Sequence, residues 1–243
     1  MTEALASDLG TGLQLLGGWH LTTSTPIAGV VGDNARKLVS LLALRGPMSR
    51  AQIAGTLWPD AHEDPGARLR TVLWRFKGGR QVLRDSDGQL SLVEEVTVDV
   101  DQMRTAALQL TSTNDFNTDD DPPTTTFEAD LLPAWYDEWL IIDRERIRQL
   151  RLHALEALAA RRIRVGDYAA SLDAALAAVR AEPLRESAHR CVIEAHLAEG
   201  NVAEARRQFE TCRAILAREL GIAPSAAVIS LIETPIRRKR LST

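Results

Sequence analysis

From Trp135 onward the chain is paced by glycine. The stretches "VGDYAASLDAAL", starting at Val165, and "EGNVAEARRQFE", starting at Glu199, place Gly166 and Gly200 34 residues apart, with Ala169 and Ala203 at matching positions. A 34-residue period, with Gly closing one helix and small residues opening the next, is that of stacked helical hairpins, which bury their apolar stripes only against one another. The C-terminal part is thereby restricted to a helical array of two full units. Ala169 and Ala203 read as the small residues that let paired helices approach, and "RERIRQLRLHALEALAARR" reads as a preceding helix that completes the stack.

The first third has a different rhythm. "LQLLGGWHLT" is short, apolar and flanked by turns, and with "TPIAGVV" it reads as a small strand pair. After "GDN", where Asp33 or Asn34 can cap, "ARKLVSLLALRG" reads as a helix ending at Gly46 and Pro47. "SRAQIAGTLWPD" reads as a second helix, capped by Ser49 and ended by Pro59. A third helix begins in "PGARLRTVLWRFKGGR", and the Asp-Gly of "QVLRDSDGQLSLV" signals a β-hairpin. Strands, two helices, a loop, a helix and a hairpin are the layout of a winged helix-turn-helix, with the third helix in the recognition position. "VDVDQMRTAALQL" starts a further helix, and "TSTNDFNTDDDPPTTT" reads as a mobile acidic loop. The expected fold is therefore mainly α with a small β part, a winged helix over residues 1–98 followed by an all-α domain over 99–243.

Charge is spread unevenly along this layout. The chain carries a net −4, yet residues 1–84 hold 10 basic and 6 acidic side chains, and residues 85–133 hold 1 basic and 12 acidic. Between Pro65 and Arg84 there are six cations and no carboxylate. A global acidic balance does not exclude a polyanion partner, because the local field decides. On a helix, Leu69, Val72, Leu73 and Phe76 fall in one inward arc, and Thr71, Trp74 and Arg75 lie opposite, flanked by Arg68, Arg70 and Lys77. An ordinary solvated helix mixes Glu with Lys for i,i+4 pairing, whereas a run of like charge suits phosphates. Arg also matches guanine bidentately, and Thr71 can meet a thymine methyl or a backbone oxygen. Trp74 either stacks on sugar or base or packs under the wing, with packing favoured. Arg80 follows the two glycines. For Arg50 and Arg84, phosphate contact and plain surface charge weigh equally.

These residues carry a resemblance. "ARKLVSLLALRGPMSRAQIAGTLWPDAHEDPGARLRTVLWRFK", "DLLPAWYDEWLIIDRERIRQLRLHALEALA", "AEPLRESAHR", "HLAEGNVAEA" and "ARELGIAPS" together resemble the SARP family of bacterial transcriptional activators, over about residues 13 to 232. The resemblance implies an OmpR-like winged helix joined to a tetratricopeptide-like activator domain, of the small type without an ATPase module. It implies sequence-specific binding to promoter repeats near the −35 element and recruitment of RNA polymerase holoenzyme through its σ factor. The DNA-facing set carried over is Arg68, Thr71, Arg75 and Lys77, with Arg70 and Arg84 at its edge, and the polymerase-contacting loop holds Asp60, His62, Glu63 and Asp64. A homodimer on repeated sites and a cytoplasmic, nucleoid-associated location fit the same reading. Two departures stand out: "KGGR" cuts the third helix short, and the two Asp of "RDSDGQ" disfavour deep insertion of the wing into a minor groove.

Other function classes find less support. No Walker-type phosphate loop is present, and no His pair at i,i+4 brackets a Glu. His189 and His196 stand seven apart, a long reach for one metal. No Ser or Cys sits in a nucleophile context, Cys191 and Cys212 read as core-filling thiols, and neither a catalytic residue nor a cofactor is assigned. No apolar run approaches the roughly 20 residues that span a bilayer, and the acidic start lacks the order of a signal peptide. The rival reading is a protein-interaction adaptor whose winged helix no longer reads DNA.

Overall fold

The computed structural model describes residues 10–23, 25–27, 30–60, 64–112 and 121–240. Two compact units divide the chain: residues 1–103 with 130–147, and residues 104–129 with 148–243. A single cut near 98 treats the units as successive lengths of chain, whereas the structure returns residues 130–147 to the first.

In the first unit, "LQLLGGWHLT" folds back on itself at Gly17 and Gly18, whose φ of 79° and 157° favour glycine. β1 (Gly12–Gln14) thus pairs antiparallel with β2 (His20–Thr22). The pairing expected with "TPIAGVV" is replaced by this internal turn, and none of that stretch's described residues is in a strand. The third strand of the sheet is β6 (Thr97–Val98), parallel to β1 with Leu13 opposite Val98. The Asp99 carboxylate accepts the backbone N–H groups of Leu15 and Leu16, each at 2.9 Å, and fixes this sheet to the start of α5 (Asp99–Ser112). Burial pushes its pKa above the usual carboxylate value, against the pull of those N–H donors.

α1 (Asp33–Arg45) starts from Gly32 without a side-chain cap, ahead of both expected caps, Asp33 and Asn34, and buries Leu38, Leu41 and Leu42. α2 (Arg50–Leu57), which follows β3 (Met48–Ser49), opens on a reciprocal capping box. The Gln52 N–H donates to Ser49 Oγ at 3.2 Å, and the Ser49 N–H donates to Gln52 Oε1 at 2.9 Å. α3 (Pro65–Arg75) and the single turn α4 (Gly79–Val82) lead into the hairpin of β4 (Leu83–Ser86) and β5 (Gln89–Leu92). Asp87 and Gly88 both have positive φ, 54° and 76°, as a type I′ turn requires. β5 lies between β4 and β3, which sets the wing beside α2.

The returning segment closes this unit. The Leu132 N–H donates to Leu15 O at 2.9 Å, and Leu131, Leu132 and Leu140 are fully buried. Arg144 donates to the carbonyls of Leu131, Leu132 and Trp135, while Arg45 donates to Asp143 and to Trp139 O.

The second unit is helical, as the period requires. It holds the C-terminal part of α6 (Ile141–Arg164), then α7 (Tyr168–Ala181), α8 (Glu186–Glu199), α9 (Val202–Leu220) and α10 (Ala226–Arg240). Gly166 and Gly200 take φ of 80° and 91°, which explains their recurrence. Ala169 and Ala203 face solvent, contrary to their expected packing role. The buried pair is Ser171 and Ala205, also 34 apart and both 0% exposed. Two residues further along a helix is a rotation of about 200°, so the second residue of each helix points out and the fourth points in. Ser171 can sit there because its hydroxyl donates to Ala159 O at 2.9 Å. Cys191 and Cys212 are buried, and burial raises their thiols to about 12 and about 11, consistent with inert packing roles.

A candidate nucleic-acid interface

α3 is built from its first residue. The Asp64 carboxylate accepts the Gly66 N–H at 2.9 Å, Pro65 occupies the first helical position, and Arg70 returns to Asp64 at 3.2 Å. The Gly66 hydrogen bond, with Arg70 behind it, holds the Asp64 carboxyl below its ordinary pKa. Asp64 thus serves as the helix cap, a role its Asp-Pro context signals and the sequence reading missed. Asp60 is exposed, whereas His62 and Glu63 lie outside the described residues.

Leu69, Val72 and Phe76 are buried and Leu73 is half-buried, which gives α3 its inward face. Arg68, Arg70, Thr71, Trp74, Arg75 and Lys77 are all exposed. The Arg68 guanidinium lies over the Trp58 ring, 5.3 Å from its centroid, so the Trp of "LWPD" is a buried platform for a cation on the outward face of α3. The Thr71 hydroxyl donates to Ala67 O at 3.0 Å, and its methyl is left for other contacts. Trp74 is 83% exposed, so the expected packing under the wing is not what the fold provides. The reason is local: α3 ends at Arg75, Phe76 turns into the core instead, and the indole one helical turn from Arg70 is left outside.

"KGGR" shortens the helix as its glycines suggest. A Cβ on Gly78 would fall 2.4 Å from the Ile27 side chain, so only glycine lets the chain pass there. Lys77 and Arg80 emerge on either side of this turn, both exposed. The cations then fall into two groups. Arg50 pairs with Asp85 at 2.5 Å, Arg70 with Asp64, and Arg84 with Glu94 at 3.1 Å. Arg75, Lys77 and Arg80 form no ion pair among the described residues. Of the two histidines weighed for a metal, His189 has both ring nitrogens engaged, by Pro183 O and by the Gln208 amide.

The sequence profile of the bacterial transcriptional activator domain matches residues 124–234. Among solved structures, Mycobacterium tuberculosis EmbR in complex with a low-affinity phosphopeptide aligns with a TM-score of 0.72 at 17% identity. The alignment covers 94% of this chain and 65% of EmbR, so the chain spans a little under two thirds of that protein. No curated protein matches the sequence. Residues 124–234 are thus similar to the bacterial transcriptional activator domain, and the chain as a whole has a fold like that of EmbR, with a winged helix ahead of a helical unit.

Proposed function

We propose that this protein is a SARP-type transcriptional regulator and binds double-stranded promoter DNA sequence-specifically, with α3 in the major groove and Arg68, Thr71 and Arg75 facing the bases. The observation that carries the reading is the outward face of α3, where exposed cations and a threonine oppose a buried apolar arc with no carboxylate from Pro65 to Arg84. Lys77, Arg80 and, in exchange for their carboxylates, Arg50, Arg70 and Arg84 serve phosphates. The protein acts as an activator on promoter repeats near the −35 element, where two copies can meet, and the exposed Asp60 in the loop before α3 faces the σ factor of RNA polymerase. It works in the cytoplasm, on the nucleoid. No helix among the described residues is long and apolar enough to cross a membrane.

Footprinting on genomic fragments, with and without polymerase holoenzyme, tests this reading. Log affinity should fall steeply with log salt, by about 0.9 per phosphate contact. Arg75→Ala with Lys77→Ala should abolish protection while the far-ultraviolet circular dichroism stays unchanged. Protection that survives the double substitution would return the winged helix to the adaptor role.

A further inference from the structure

Between α3 and the wing lies a cleft of about 440 Å³ that the base-facing side of α3 does not use. Its apolar floor includes half-buried Leu73 and buried Leu90, and its rim carries Trp74, Lys77, Arg80 and the Arg50–Asp85 pair. A single exposed aromatic is ordinary on a protein surface. Trp74 differs in its setting: an indole 83% exposed, beside two cations that no carboxylate among the described residues neutralises. An indole face on an apolar floor suits the C–H face of a sugar, and cations to either side suit the charges that flank it. We infer that this cleft seats one deoxyribose-phosphate strand of the duplex, with Trp74 packed on a deoxyribose and Lys77 and Arg80 on the phosphates that bracket it.

The inference rests on the DNA-binding reading and adds a second contact mode to it. Contact through sugar and phosphate is blind to sequence, so Trp74 contributes to affinity and register rather than to base choice. The occupant is a nucleic-acid strand because sugar and phosphate alternate along it as the indole and the flanking cations do at the rim, where the carboxylate present, Asp85, is already paired with Arg50. The Arg50–Asp85 pair stands at the wing side of the same cleft, where an arriving phosphate competes with Asp85 for the guanidinium.

Affinity for the protected genomic fragment and for a random-sequence duplex, measured across a salt series, decides the matter. Trp74→Ala should weaken both duplexes by the same factor, about 5- to 50-fold, a range bounded above by the worth of stacking a base on an aromatic ring, and leave the salt slope unchanged. Trp74→Phe should recover most of the loss. Lys77→Ala and Arg80→Ala should each lower the slope by about 0.9. Acrylamide should quench Trp74 in the free protein and not in the complex, read as the difference between wild type and Trp74→Phe. Trp74→Ala binding within twofold of wild type, or a loss confined to the genomic fragment, overturns the inference and leaves the α3 assignment intact. A wild-type protein that binds neither duplex overturns both. Displacement of the duplex by poly-glutamate at equal charge concentration, dependent on Trp74, reassigns the cleft to an acidic protein and overturns it as well.

Discussion

The Glu156→Gln substitution tests how the helical unit is fastened. Arg185, at the start of α8, makes a forked contact with Glu156 on α6, Nε to Oε1 at 2.7 Å and Nη2 to Oε2 at 3.2 Å. Its Nη1 donates to Gln149 Oε1 at 3.0 Å, and the Ser187 hydroxyl donates to Glu156 Oε1 at 2.5 Å. The two ionic side chains are only 18% and 15% exposed. Burial pushes the Glu156 carboxyl up, but the hydrogen bonds from Arg185 and Ser187 outweigh it and hold the group below its ordinary pKa. An exposed ion pair contributes about 0–1 kcal/mol, and breaking a fully buried one costs about 3–5 kcal/mol. At this degree of burial the loss should be about 2–3 kcal/mol. For a chain of this size that lowers Tm by about 5–10 °C near neutral pH. Because the folded pKa is depressed, the stabilisation is complete above the unfolded carboxylate value, about 4.3, and is lost as pH falls through the folded one. Thermal melts of wild type and Glu156→Gln should therefore differ at pH 7 and converge as the solution is made more acid than that value. Equal Tm at pH 7, or a gap that persists in acid, would refute the reasoning.

Gly78→Ala should force the chain off Ile27 and cost about 1–3 kcal/mol in chemical denaturation, the usual penalty of overpacking, with DNA affinity falling because Lys77 and Arg80 shift with the turn. Asp85→Asn should free Arg50 and tighten DNA binding about 2- to 5-fold at low salt, in line with the worth of an exposed pair, and titration by fluorescence anisotropy reads it directly. A fragment of residues 1–103 lacks Leu131, Leu132 and Leu140 over its core and the Leu132–Leu15 hydrogen bond. It should melt with less cooperativity than a fragment of residues 1–147, as calorimetry will show.

What was legible in the sequence is what local chemistry decides. The faces of α3, the Ser49 cap of α2 and the Asp-Gly turn of the wing each depend on residues within a few positions of one another, and each was read correctly. The helix period was legible for the same reason, since Gly166 and Gly200 answer a local demand for positive φ. Long-range partners were not legible. Nothing near Leu131 says that it will bridge to Leu16, and nothing near Arg50 says that Asp85 will reach it, 35 residues on. Ala169 and Ala203 show how a correct period can still mislead. A repeat fixes which positions are equivalent, but the helix start fixes which of them face inward.

The distribution of paired and unpaired cations bears on where binding energy resides. Arg50, Arg70 and Arg84 each already has a carboxylate, so a phosphate replaces one partner with another, and the gain is the difference between two exposed ion pairs. Arg75, Lys77 and Arg80 give up no carboxylate among the described residues when a phosphate arrives. Their like charges repel one another in the free protein, and a polyanion relieves that repulsion. These three cluster around the break in α3, where Phe76 turns into the core and Gly78 passes under Ile27. On a continuous helix Trp74, Lys77 and Arg80, spaced three apart, would already follow one another along a single stripe, each about 60° round from the last. With the break, Lys77 and Arg80 line one cleft with Trp74 and with Leu83, Asp85 and Leu90 of the wing. The two glycines therefore end α3 where its closing cations meet the wing, while Arg68 and Arg75 line a separate pocket with Val31 and Asp33.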